Sequence, residues 1–138
     1  NSITDGYGID MATQKGYPAI LQNKLGDGYE VKNYGLSART LLYKGDVPYM
    51  KEMGWRDALA FQPNIVVIKL GTNDSKTHNW VYKAEFGKDL QTMVDSLKAL
   101  PSNAEISYAA WQTYCAYGRC LQGDAHRSRQ CLCLEYQP

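Results

Sequence analysis

Residues 1 to 114 contain no cysteine; Cys115, Cys120, Cys131 and Cys133 fall together near the end. A small disulfide-built secreted domain spreads its cysteines through the fold, so the body of this chain must rely on an apolar core. An excess of charge is also missing. The formal net charge of +1 gives no electrostatic ground for nucleic acid or an anionic membrane as partner. No run approaches the roughly 18 consecutive apolar residues of a membrane span. Histidine is scarce, with only His78 and His126. Methionine is absent from the first position, and the chain is expected to have lost its true N-terminus. A missing signal peptide therefore says nothing about compartment, and localisation and oligomeric state stay open.

What is present fits one domain: 138 residues, 44% hydrophobic and 21% charged. The segment Tyr17 to Leu25 reads as a helix, with Pro18 in its first turn and Gly26 as its stop. YEVKNY alternates and suits a strand ending near Asn33. A short helix is expected around Trp55 to Phe61, halted by Pro63-Asn64. The apolar, mostly β-branched run Ile65-Val66-Val67-Ile68 reads as a strand covered on both faces, and Lys69 marks its return toward water. Phe86, Leu90, Met93, Val94 and Leu97 recur at helical spacing within 84–100. Pro101-Ser102-Asn103 ends that helix, and AEISYAA is the next strand. Helices alternating with strands imply a parallel sheet, with the chemistry on turns beyond the strands' carboxyl ends.

Three polar turns satisfy that placement: NSITDG at 1–6, NYGLSART at 33–40 and GTNDS at 71–75. Brought to one rim, they offer a serine hydroxyl, main-chain N–H groups and a carboxamide. Acyl transfer needs that set, a nucleophile plus donors already aimed at the developing oxyanion. Ser37 is a competing nucleophile, since Gly35-Leu36-Ser37 opens like a G-x-S-x-G elbow, but Arg39 takes the place of the closing glycine. Asn73 and Asp74 have the plainer reading of fixing a turn through side-chain bonds. Trp80 is either a sugar-stacking ring or a packing residue.

In this order and at these separations, NSITDG, NYGLSART and GTND resemble the SGNH or GDSL-type serine esterases, over about residues 1 to 106. The likeness is closest to the branch of sialate O-acetylesterase-like and other carbohydrate acetylesterases. The resemblance implies a three-layer flavodoxin-like α/β fold with a parallel sheet, here incomplete, lacking the first strand and the C-terminal part. It implies Ser2 as nucleophile, and an oxyanion hole from the N–H groups of Ser2 and Ala38 with the Asn73 amide. Asn1 stands where many members have Asp, and Ala38 where a glycine donates; alanine serves only if the local backbone does not demand glycine. Gly35 lies too early for that role. The implied substrate is a small acyl ester, such as acetyl on a glycan, with no cofactor and no metal.

The family's base comes from a D-x-x-H motif that this chain does not contain. Asp124-Ala125-His126 is one residue short in spacing, leaving His126 with Asp124 as a weak candidate base, and His78 reads as a solvated loop residue. From about 107 the resemblance fades, and 107–138 reads as a divergent tail of one partial domain, from a shifted frame or a truncated clone. Sequencing the parent gene tests this, and an unbroken frame recurring in close relatives refutes it. A zinc site from Cys115, Cys120, His126, Cys131 and Cys133 lacks the usual C-x2-C spacing. The rival reading of the whole is a non-catalytic flavodoxin-like module binding a carbohydrate or phosphate ligand. Without its first, interior strand the chain is expected to expose an unpaired edge and to be marginally stable; a cooperative thermal transition from soluble monomer would count against this.

Overall fold

The computed structural model describes residues 2–6, 8 and 16–109. Three elements position everything else: strand β1 (Ile65–Ile68), helix α5 (Phe86–Lys98) and strand β2 (Glu105–Tyr108). The strands pair in parallel, Ile65 opposite Glu105 and Ile68 opposite Tyr108. The ladder extends at both ends through Glu105 N to Asn64 O and Ala109 N to Ile68 O, each 2.8 Å. A parallel pair needs a long crossover, which α5 supplies. Its apolar spacing does the rest: Met93 and Leu97 are buried in the core with Ile68, Leu70, Leu41 and Tyr49, while Phe86, Leu90 and Val94 flank it half-buried. Burying each of Met93 and Leu97 contributes about 1.5–3 kcal/mol.

The remaining described helices are short: α1 (Ser2–Asp5), α2 (Tyr17–Leu25), α3 (Met53–Ala60) and α4 (Thr77–Trp80), with 3-10 turns at Gly26–Gly28, Tyr49–Lys51 and Lys83–Glu85. Helix α2 has the bounds its sequence indicates. Pro18 sits in the first turn, where its lacking N–H costs no helical bond, and Gly26 ends the helix at φ 70°. Helix α3 begins earlier than expected and stops before Pro63.

Two expectations fail. The YEVKNY segment is extended but is not a strand. Its main chain is bonded instead by the Gln22 side chain of α2, which accepts from Val31 N at 2.7 Å and donates to Tyr29 O at 2.9 Å. Extended backbone without a neighbouring strand has to find such substitutes. The second failure is β1, which is not covered on both faces. Ile65 is 57% and Val67 41% exposed, while Ile68 is buried. A groove of about 630 Å³ runs beside them, bordered by α2, the 29–35 segment and α3. The α/β class with parallel pairing therefore holds, and the sheet is incomplete, with two strands among the described residues.

Candidate active site

The second polar turn is bonded to each of the other two. The first, on α1, touches the second through Asn33, whose Nδ2 donates to Thr4 O at 2.6 Å. Asp5 continues the contact: its Oδ2 accepts from Ser37 N at 2.9 Å and from Ser37 Oγ at 2.5 Å. Ser37 thus has its hydroxyl committed to a carboxylate, and Arg39 Nη1 caps its carbonyl at 2.8 Å. Gly35 explains how the turns come so close. A Cβ there would lie 2.6 Å from Asp5 N and 2.7 Å from Thr4 C, so only a hydrogen fits between the two backbones. Sequence reasoning set Gly35 aside as misplaced for an oxyanion donor; its function is spatial.

The third turn follows β1, as a turn at a strand's carboxyl end should. It begins at Gly71 with φ 116°, a conformation open to glycine, and a Cβ there would also press the Tyr108 hydroxyl at 3.3 Å. Tyr108, at the end of β2, donates to Leu70 O at 3.0 Å. Burial, with the nearby Asp74 charge adding to it, pushes its phenol up to about 12, so it stays a donor under all ordinary conditions.

Asn73 and Asp74 then divide the work. Asn73 Nδ2 donates to Arg39 O at 3.1 Å, which binds one of the two amide hydrogens and orients the group beside the second turn. Its main-chain carbonyl accepts from Asn79 Nδ2 at 2.9 Å. Asp74 is fully buried, and its two oxygens accept from Leu41 N at 3.0 Å and Leu42 N at 2.7 Å. Burial pushes its carboxyl up, and these N–H bonds oppose the shift. Both side chains thus make the side-chain to main-chain bonds of the plainer reading, Asn73 at Arg39 and Asp74 at Leu41 and Leu42.

Ala38 lies between these attachments, exposed, with φ 65°. The departure from glycine noted in the sequence therefore carries a cost. A residue with a Cβ in the left-handed region is less stable by about 1–2 kcal/mol. The main-chain N–H remains available for donation whatever the side chain.

The loop that follows is bonded from below by groups the sequence did not flag. Asp89 of α5 accepts from Tyr43 N at 2.8 Å, and the buried Asn79 accepts from Asp46 N at 2.9 Å. Asp46 in turn lies 3.0 Å from His78 Nε2 and accepts from Asn79 Nδ2 at 3.0 Å. The contacts from His78 and Asn79 hold the Asp46 carboxyl below its usual range. His78 is solvated as expected, yet it is paired rather than free. Only the tertiary fold brings these pairs together, since Asp46 and Asn79 lie 33 residues apart in the chain and Tyr43 and Asp89 lie 46 apart. Trp80 is half-buried and packs edge-on to Phe86, with ring centroids 6.1 Å apart.

Asp124, His126 and all four cysteines lie outside the described residues. Among the described residues no cluster of three or more His, Cys, Asp or Glu side chains is placed to hold a metal ion, and no helix is long and apolar enough to cross a membrane.

Comparison with known proteins agrees with this geometry. Residues 1–131 match the family described as GDSL-like Lipase/Acylhydrolase. A 98-residue stretch, 71% of this chain, is 66% identical to a protein named acetylxylan esterase from Xylanibacter ruminicola. That stretch spans 20% of the relative's length. No solved structure matches. With nearly its whole length matched, the chain belongs to the GDSL-like lipase/acylhydrolase family.

Proposed function

We propose that this chain carries the nucleophile and oxyanion-hole part of a serine ester hydrolase acting on small acyl esters, with acetyl groups on a glycan as the substrate class. The relative named acetylxylan esterase supports the choice of acyl group and of carbohydrate. The observation that carries the reading is the joining of three distant turns through direct bonds: Asp5 to Ser37, Asn73 to Arg39 and Asp74 to Leu41 and Leu42.

In this reading Ser2 Oγ bonds to the acyl carbon while its proton passes to a base. The carbonyl oxygen becomes an oxyanion, facing the N–H groups of Ser2 and Ala38 and the remaining amide hydrogen of Asn73. Each donor of this kind is worth roughly 10²–10³ in rate. Collapse expels the sugar hydroxyl, reprotonated by the base, and leaves acyl-Ser2 for water to cleave. The base is the weak point, because the chain has no D-x-x-H motif and offers only His126 with Asp124. Loss of a triad histidine lowers turnover by about 10⁶, so the chain by itself is expected to turn over slowly.

The test compares this chain and the full-length product of its gene on p-nitrophenyl acetate and on acetylated xylan, each with and without Ser2→Ala. The reading requires that the gene product release acetate and that Ser2→Ala abolish release. Equal rates in the two would defeat the assignment of Ser2, and glycan binding without any hydrolysis would favour a non-catalytic module.

A further inference from the structure

The bonds that bring the turns together are asymmetric in a telling way. The first turn sends a carboxylate onto the second and the third sends one onto the two residues that directly follow it, so the chain is bonded before and after Ala38. Asp5, on the helix that begins at Ser2, holds Ser37 by both its N–H and its hydroxyl. Asp74, directly after Asn73, holds the N–H groups of Leu41 and Leu42, one to each oxygen. Between the two grips the chain passes through the left-handed conformation at Ala38, which a residue bearing a Cβ keeps only when its surroundings impose it.

We propose that Asp5 and Asp74 are positioning residues that clamp the second turn from both sides, fixing the Ala38 N–H relative to Ser2 and to the Asn73 amide. The inference rests on the proposed function and deepens it. Neither carboxylate donates a hydrogen bond when ionised, so neither stabilises an oxyanion directly. What they supply is register: each ties the second turn to the element that carries another part of the site. A donor fixed in advance stabilises the transition state without reorganising during reaction, whereas a loose one loses most of that effect. The grip of Asp74 needs two acceptors, because its two N–H partners come from consecutive residues. Asparagine fills the same space but turns one acceptor into a donor facing an N–H. The grip of Asp5 is made through one oxygen to one residue, so it is the weaker of the two.

The experiment uses the full-length product of the gene with p-nitrophenyl acetate. Asp74→Asn is expected to lower kcat by about 10–100-fold, below the full loss of one donor, while KM stays within about twofold because Asp74 touches no substrate. Asp5→Ala is expected to lower kcat about tenfold with the same KM pattern. Circular dichroism reports folding, and if Asp74→Asn fails to fold, Asp5→Ala at its half-buried position carries the test. A folded variant with kcat within twofold of wild type, or a loss residing wholly in KM, overturns the clamp. Ser2→Ala in parallel separates the two ideas: if it keeps wild-type turnover, the serine reading has failed, and if it is inactive while both Asp variants are unaffected, only the clamp has failed.

Discussion

Replacing Gly35 by alanine tests the architecture of the site most directly. The added Cβ would sit 2.6 Å from Asp5 N and 2.7 Å from Thr4 C and Thr4 Cβ, where ordinary contact begins at 3.4 Å. The overlap of ~0.8 Å falls partly on backbone atoms, which have no rotamer through which to escape, so the two segments must separate. Separation by roughly 1 Å would stretch the Asn33 to Thr4 bond, now 2.6 Å, and both bonds of Asp5. Losing these costs about 1–3 kcal/mol of stability. Its effect on chemistry is larger, because α1 carries Ser2, and a misplacement of about 1 Å costs up to ~10²-fold in rate. The assay is kcat/KM on p-nitrophenyl acetate for Gly35→Ala in the full-length gene product. Gly28→Ala is the control, since a Cβ there meets nothing within 4 Å. A folded Gly35→Ala enzyme within twofold of wild type would refute the claim that the first two turns must touch for catalysis.

Ala38→Gly relieves the left-handed strain, offset by the greater freedom of glycine in the unfolded chain, and should raise stability by about 0.5 kcal/mol, or roughly 2 °C in Tm, with kcat retained; thermal melts and kinetics together check this. Met93→Ala in the core should cost about 2–5 kcal/mol, while Val67→Ala beside the groove should cost less than about 1 kcal/mol; urea unfolding would expose an error if the two costs were equal. Asp46→Asn reports on pH. The folded-state pKa of Asp46 is depressed, so its contribution is present above about 3.8 and is lost as pH falls through the lower folded value. The variant should be less stable than wild type by under about 1 kcal/mol at neutral pH, the pair being solvent-screened, and indistinguishable from it in strong acid. A gap that widened on acidification would contradict the assignment.

The local elements and the three turns were legible in the sequence because their causes are local. Pro18 and Gly26 bracket α2, β-branched residues fill β1, and the apolar spacing around Met93 and Leu97 defines α5. The YEVKNY segment was misread because alternation describes a strand only when another strand lies alongside it, and here Gln22 takes those backbone bonds. The double coverage of β1 was misread for a similar reason. Hydrophobicity reports a preference for burial, not what arrives to bury it, and Ile65 and Val67 face an open groove. The hydrogen bonds that join the turns link positions about 30 residues apart, as from Asp5 to Ser37 and from Asp74 to Leu41. No periodicity encodes such pairs, so nothing in the sequence pattern marks Asp5, Asn79 or Asp89, or the close approach at Gly35. Sequence alone determined which residue types could perform acyl transfer and on which turns they stand. The tertiary structure decided that the second turn is bonded to the other two, that Ala38 is bent into a left-handed backbone, and that two carboxylates bond the chain before and after it, because those facts depend on distances through space that chain order does not contain.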